Sequence, residues 1–164
     1  MVEFPKLWRG LKRLILTGGA EVTVPVGERA IVSGRAAVEI VGRLIGARGA
    51  GGRGRLATAT GLATSGVRAT TWLTDLDPML THAVAQRLPL VAHVYLGSER
   101  EHAAYEAAVQ AGWTAFHPQN VQEAIDLTLA AHSFAEHALH PALVALDGPE
   151  IADAVQNARL PDAE

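Results

Sequence analysis

The sequence predicts an α/β fold in three layers, with a mostly parallel sheet in the middle and helices on both of its faces. Three observations support this prediction. Apolar runs of β-forming residues alternate with longer runs of helical pattern. Helix-starting signals stand between these runs. The 164 residues are 49% hydrophobic and 19% charged, which is the composition of a globular chain long enough to bury a substantial core.

The second half of the chain carries the clearest alternation. Strands are predicted at residues 67–72, 90–96, 113–117 and 142–146. Helices are predicted at residues 76–88, 99–111, 120–139 and from 147 to about 158. Strands and helices in strict alternation are typical of a parallel sheet with right-handed crossovers, and ligands of such sheets bind outside the carboxyl ends of the strands.

Two of these helices begin with a capping box. Ser98 precedes Glu101 by three residues, and Asn120 precedes Glu123 by the same distance. In this arrangement the first side chain accepts a hydrogen bond from the third amide of the helix. The glutamate side chain reaches back to a backbone amide at the helix start. The sequence therefore fixes the beginnings of both helices closely.

The first half predicts a less regular arrangement. Residues 5–16 are expected to form a basic amphipathic helix that packs on its own domain or on a partner protein rather than on a membrane. A hairpin of residues 21–26 and 30–32, a helix over 34–45, a Gly/Arg loop over 47–55 and a helix over 56–64 are expected to follow. We expect an irregular basic extension at residues 1–30 and an α/β domain at residues 31–164.

Composition excludes several function classes. The absence of cysteine excludes disulfides, thiolate-bound zinc and a cysteine nucleophile. A net charge of −3 and 5% aromatic residues do not favour binding of nucleic acid. No apolar run approaches the roughly 18 residues of a membrane span, and no targeting segment is recognisable. No serine stands in a Gly-x-Ser-x-Gly motif. We expect a cytoplasmic protein with neither a nucleic acid nor a membrane as its partner.

Charge is distributed unevenly along the chain. Residues 1–68 hold 11 basic and 4 acidic residues, a net charge of +7, whereas residues 69–164 hold 3 basic and 13 acidic residues, a net charge of −10. Arginine side chains among glycines, as in the Gly/Arg loop over residues 47–55, can bind phosphate or carboxylate groups. This loop is not a P-loop. The candidate anion or partner contacts are Arg48, Arg53, Arg55 and Arg68. The alternative interpretation is a solvated connecting loop.

All seven histidines follow residue 81. His132, His137 and His140 lie late on a predicted helix or just after it, and the last two have a spacing that can place two metal ligands on one helical face. No third ligand is evident, so we interpret them as exposed or capping residues and expect no metal site. His93 lies in a predicted buried strand and is expected to be a hydrogen-bonded core residue.

Four segments together resemble one enzyme family. Residues 120–127 (N-V-Q-E-A-I-D-L) and 141–148 (P-A-L-V-A-L-D-G) are the more specific of these. Two further segments occur in the order and spacing of that family's motifs. They are residues 61–71 (G-L-A-T-S-G-V-R-A-T-T) and, with a weaker match, residues 32–38. Over residues 30–155 the chain resembles the pyrimidine-binding domain of thiamine-diphosphate-dependent 2-oxoacid:ferredoxin oxidoreductases. The resemblance implies the fold of that domain.

The sequence departs from the family pattern where the cofactor would be held. The resemblance implies a glutamate about ten residues before Gly61 that contacts the aminopyrimidine of the cofactor, but Ala50-Gly51-Gly52 stand there. No acidic residue lies between Glu39 and Asp75, and the family's Tyr-Pro-x-Thr-Pro-Ser segment is missing. No catalytic residue is therefore carried over to this chain.

Three functional hypotheses follow. The first is a non-catalytic subunit or accessory domain of a 2-oxoacid:ferredoxin oxidoreductase complex, which contacts larger subunits through its basic half and binds no cofactor alone. The second is a working subunit that completes a thiamine diphosphate and magnesium site together with a partner chain. The third is a regulatory domain that binds a small anion through the Gly/Arg loop.

Overall fold

The structure, a computed structural model, describes residues 11–15, 21–25, 27–50 and 54–162. The strands are β1 Leu11–Ile15, β2 Glu21–Pro25, β3 Arg29–Ser33, β4 Arg48–Ala50, β5 Ala69–Leu73, β6 Leu90–Leu96, β7 Thr114–Phe116, β8 Ala142–Asp147 and β9 Val155–Arg159. The α-helices are α1 Gly34–Leu44, α2 Arg55–Thr64, α3 Met79–Ala85, α4 Glu99–Gln110 and α5 Val121–Ala138, and a π-helical turn spans Gly148–Ala152.

Within the described residues, five strands form one parallel sheet in the order β4-β5-β6-β8-β7. Helices α2, α3 and α4 pack on one face, and α1, α5 and the π-helical turn pack on the other. Alternate residues of β6 enter the two layers, since Leu90, Ala92 and Val94 face the first and Val91 faces the second. The three-layer parallel α/β fold predicted from the sequence is confirmed.

The capping signals are also confirmed. The Ser98 side chain accepts from the amide of Glu101, and the Glu101 carboxylate accepts from the amide of Gly97. The Asn120 side chain accepts from the amide of Glu123 at 2.9 Å, and α5 begins at the next residue. Each cap satisfies amides that the first helical turn leaves without a partner, which is why local sequence alone locates these helices.

The N-terminal expectations are wrong in the part that the structure describes. Residues 11–15 of the expected basic helix form strand β1, which pairs antiparallel with β2. The expected hairpin of β2 with β3 is replaced by two different pairs, because β3 pairs with β9 instead. Residues 5–10 and 16 lie outside the described residues. The β1–β2 pair is local in sequence, whereas the pairing of β3 with the distant strand β9 is a tertiary effect that overrides local pattern.

Two further segments differ from their prediction for the same reason. Residues 48–50 of the expected loop form edge strand β4, whose first amide donates to the carbonyl of Arg68 at 2.8 Å. The expected last helix stops after one π-helical turn, closed by the Asp153 amide on the Gly148 carbonyl. Residues 155–159 then extend as β9, opposite β3.

Candidate functional site

Two adjoining cavities of about 270 and 180 Å³ lie outside the carboxyl ends of β5 and β6. They share Arg55, Trp72, Leu73 and Thr74 in their walls. This position follows from the topology, because the loops after parallel strands open at the same edge of a sheet. We call the two cavities together the carboxyl-edge pocket.

Arg35 and two aromatic rings form one wall of this pocket. The guanidinium carbon of Arg35 lies 4.7 Å from the ring centre of Tyr95 and 5.4 Å from that of Trp72. The indole nitrogen of Trp72 donates to the carboxylate of Glu39 at 2.8 Å. Arg35 and Glu39 are one turn apart on α1, so the start of that helix presents both charges to the ends of β5 and β6.

Tyr95 is held on several sides. Its hydroxyl donates to the carboxylate of Asp153 at 2.7 Å, and this hydrogen bond is the main reason why the pKa of Tyr95 is raised. A Cβ atom added at Gly148 would lie 2.9 Å from the ring, and one added at Gly97 would collide with it. Both glycines therefore provide space that any larger residue would close, and the ring keeps a fixed orientation toward Arg35.

The described carboxylates around the pocket each have a structural partner. Glu39 accepts from the Trp72 indole, and Glu101 accepts from the Gly97 amide at 3.3 Å. Asp77 accepts from the amide of Met79 at 2.9 Å at the start of α3, and Asp75 forms an ion pair with Arg100 at 3.1 Å. These bonds fix the loops around the pocket.

Three of the four arginines proposed from the sequence lie in the described residues, and these three are apart from one another. Arg48 is exposed at the amino end of β4, whereas Arg55 lines the carboxyl-edge pocket at the opposite end of that strand. Arg68 lies before β5, where it forms a two-point ion pair with Glu136 and also donates to the carbonyl of Ile45. Arg53 lies outside the described residues.

Arg68 and Glu136 line a separate cavity of about 450 Å³ at the amino edge of the sheet. The opposite edge of a parallel sheet is where such proteins place their ligands, so this cavity is the weaker candidate. With its bidentate pair and a main-chain acceptor, Arg68 joins the α1–β4 turn, strand β5 and α5. Its role in the described structure is to hold these elements together.

The histidines correct the sequence interpretation. His132 is 4% exposed rather than at the surface, and it packs in the layer between α5 and the sheet, beside His93. Three of their ring nitrogens have no hydrogen-bond partner among the described residues: Nδ1 and Nε2 of His93, and Nε2 of His132. Burial lowers the pKa of both to about 3, with a smaller contribution from His132 on His93 and from Arg68 on His132.

The remaining two members of the histidine set act as expected for exposed residues near a helix end. His137 Nδ1 lies 2.7 Å from the Ser133 carbonyl, and His140 Nε2 lies 2.7 Å from the Gly112 carbonyl. In the described part of the chain, no group of three or more His, Cys, Asp and Glu side chains could hold a metal ion.

Sequence reasoning missed the residues that build the pocket wall, namely Arg35, Trp72, Thr74 and Tyr95. A signal for two of them was present. Trp72 and Tyr95 each stand one residue before the end of a strand, where a parallel sheet exposes side chains to its ligand edge. Arg35 carries no comparable signal, because only the packing of α1 brings it to these rings.

The fold and the pocket together define a three-layer α/β domain with its polar cavity at the carboxyl edge. Residues 40–164 match the family model described as pyruvate flavodoxin/ferredoxin oxidoreductase, thiamine diphosphate-binding. The chain belongs to this family, and the resemblance seen in the sequence is confirmed.

The fold is also that of a solved enzyme. The 2-oxoglutarate:ferredoxin oxidoreductase from Magnetococcus marinus, solved with 2-oxoglutarate, coenzyme A and succinyl-CoA bound, superposes with a TM-score of 0.61 at 15% sequence identity. The match covers 83% of this chain and 32% of that one, so the chain spans about a third of the related protein. No curated protein sequence matches the chain significantly.

Each carboxylate that the structure describes around the carboxyl-edge pocket already has a partner within the protein. Recognition of an aminopyrimidine needs a carboxylate that can address a ring nitrogen, and the pocket carboxylates are engaged with an indole, two backbone amides and an arginine. Ala50 is buried at the end of β4, at the first of the three positions where the resemblance implies the glutamate.

Proposed function

We propose that this chain is a non-catalytic subunit or accessory domain of a 2-oxoacid:ferredoxin oxidoreductase complex in the cytoplasm. Its role is to assemble with and support the larger subunits that carry the chemistry. It binds no thiamine diphosphate or magnesium alone. Among the described residues, no helix is both long enough and apolar enough to cross a membrane.

The observation that carries this proposal is the engagement of the carboxylates around the carboxyl-edge pocket. A group that moves a proton must reach its substrate or cofactor, and loss of such a group typically costs a factor of 10² to 10⁴ in rate. Here Glu39 and Glu101 hold Trp72 and the start of α4 in place. The acidic side chains of the pocket therefore stabilise its walls.

Co-purification tests the assembly role. The tagged chain, expressed at its natural level in its own host, is expected to bring down the larger 2-oxoacid oxidoreductase subunits in a fixed ratio. A tagged variant of an unrelated protein of similar size and charge is the control for adventitious capture. Recovery of the chain as a monomer free of those subunits would contradict the proposal.

Calorimetry tests the absence of a cofactor site. Thiamine diphosphate with magnesium, titrated into the purified chain, is expected to give no heat of binding, whereas titration into the assembled complex is expected to give the heat of the sites on the larger subunits. Saturable binding to the chain alone would contradict the proposal.

One observation favours the second hypothesis, a working site completed by a partner chain. Glu39 is half-buried and lines the carboxyl-edge pocket beside Trp72 and Tyr95. A partner that displaced the Trp72 indole would leave this carboxylate facing the space between the two chains. Magnesium and thiamine diphosphate would then bind to the complex with an affinity that Glu39→Gln reduces.

A further inference from the structure

The antiparallel pair β3–β9 presents one face to solvent that no described element covers. Residues of the two strands alternate between the faces. Val32 and Ala158 point inward and are 9% and 1% exposed, in a cluster with α1 and α5. The outer side, which we call the ribbon face, consists of Arg29, Ile31, Ser33, Val155, Asn157 and Arg159.

The centre of the ribbon face is apolar. Ile31 is 77% exposed and Val155 is 64% exposed, and they are the two branched aliphatic residues of this face. They lie diagonally across the strand pair, since Ile31 is opposite Asn157 and Val155 is opposite Ser33. Side chains in this relation are close enough to contact one common neighbour.

The end of the ribbon face is basic. Arg29 lies directly opposite Arg159, and like charges in this relation destabilise a strand pair. Arg29 donates to the Asn157 carbonyl at 3.4 Å, but neither guanidinium forms an ion pair with any residue that the structure describes. An anionic partner would relieve this repulsion and form hydrogen bonds to both guanidinium groups.

The free edge of β9 is closed beside this face. The Gln122 side chain of α5 donates to the Arg159 carbonyl at 3.3 Å and accepts from the Arg159 amide at 2.8 Å. A partner strand therefore cannot extend the sheet at this point without displacing Gln122. The geometry favours a segment that packs across the face.

We propose that the ribbon face docks an acidic segment of a larger oxidoreductase subunit, in which carboxylates flank one or two apolar side chains. The identity of the partner rests on the proposed function, whereas its chemistry rests on the ribbon face itself. The apolar side chains cover Ile31 and Val155, and the carboxylates pair with Arg29 and Arg159. A second copy of this chain fits this face less well, because the ribbon face itself holds no carboxylate that could pair with Arg29 and Arg159.

Single cysteines test this surface cleanly, because the chain has none of its own. The rate of maleimide labelling of Ile31→Cys reports on the ribbon face, and Leu76→Cys, at a position that is 67% exposed on another surface, is the matched control. Addition of the purified larger subunits to the full chain is expected to slow labelling at position 31 at least tenfold and to leave position 76 unchanged.

Charge reversal tests the basic end. The double variant Arg29→Glu/Arg159→Glu is expected to weaken binding of the larger subunits at least tenfold and to abolish the protection at position 31. Arg87→Glu, at another exposed arginine that lies away from both the ribbon face and the carboxyl-edge pocket, is expected to bind as the wild type does. Salt is expected to weaken the wild-type complex more than that of the double variant, because the paired charges lie at the rim of the interface.

The outcomes separate this inference from the proposed function. A complex that forms while position 31 labels at its unbound rate overturns the ribbon face and leaves the proposed function standing. If the larger subunits do not bind, the proposed function fails, and the ribbon face is then tested by labelling Ile31→Cys in living host cells.

In the cells, slower labelling at position 31 that the double variant abolishes supports an acidic partner on the ribbon face. Labelling at the rate of the purified chain overturns the ribbon face as a docking surface. Protection that appears in the purified chain at rising concentration identifies a second copy and overturns the acidic partner.

Discussion

His93 and His132 make the core of this protein sensitive to acid. Both rings are buried, three of their four nitrogens have no hydrogen-bond partner among the described residues, and burial lowers the pKa of each to about 3 from 6.5. Between pH 3 and pH 6.5 the unfolded chain therefore binds two protons that the folded chain does not bind. The free energy of unfolding must fall as the pH falls through this range and must be independent of these groups above it.

The magnitude follows from the size of the window. Each histidine contributes a loss of roughly 1 kcal/mol per pH unit below pH 6.5, and the two together roughly 2–3 kcal/mol per unit. From pH 6.5 to pH 4.5 the loss is about 5 kcal/mol, which equals the whole stability of a marginal domain. The chain is therefore expected to unfold or lose its native packing close to pH 4.5.

Urea unfolding followed by tryptophan fluorescence between pH 7.5 and pH 4.5 measures this dependence. The slope of His93→Leu/His132→Leu is expected to be smaller by roughly 2–3 kcal/mol per pH unit, because neither position can then take up a proton. The single variants should each lose about half, and His102→Leu, at an exposed position, should keep the wild-type slope. Parallel stability curves for the wild type and the double variant would refute the assignment of the acid sensitivity to this pair.

Three further substitutions test the packing. Gly34→Ala is expected to destabilise the chain by roughly 1–3 kcal/mol, because its Cβ would collide with the Ile151 carbonyl, whereas Gly61→Ala, in open space within α2, is expected to stabilise it by roughly 0.5–1 kcal/mol. Thermal unfolding of both measures the difference, and equal shifts would contradict the close approach. Asn120→Ala is expected to cost roughly 0.5–2 kcal/mol through loss of the bond to the Glu123 amide, and unchanged urea unfolding would contradict the capping role.

The sequence sufficed for the elements whose signals are local. Asn120 and Glu123 mark the start of α5, and the apolar run 90–96 matches β6 at both ends. These elements need no knowledge of their neighbours, because a cap bonds within one helical turn and a buried strand is apolar on both faces.

The errors at β9 and β4 occur where a strand distant in the sequence decides the conformation. β9 has one fully buried side chain, Ala158, and becomes a strand because it pairs with β3, which lies 124 residues earlier in the chain at the pair Val32–Gln156. The same holds for β4, whose first amide, that of Arg48, donates a hydrogen bond to the carbonyl of Arg68. Local propensity carries no information on such pairings.

The candidate site shows the same limit. Trp72 and Tyr95 lie at predictable strand ends, but Arg35 reaches them through the packing of α1 on the sheet. Of the candidate arginines that the structure describes, Arg48 begins β4 and Arg55 begins α2, at the other end of that strand. Proximity in sequence did not become proximity in space.

The turnover number of the assembled complex tests the central claim most directly. Glu39→Gln keeps the oxygen that accepts from the Trp72 indole and removes the negative charge from the carboxyl-edge pocket. With this variant in the complex, 2-oxoacid-dependent reduction of ferredoxin is expected to proceed with a kcat within twofold of the wild type, because the chain supports assembly and moves no proton. A fall in kcat of a hundredfold or more in a complex of unchanged composition would contradict a non-catalytic role.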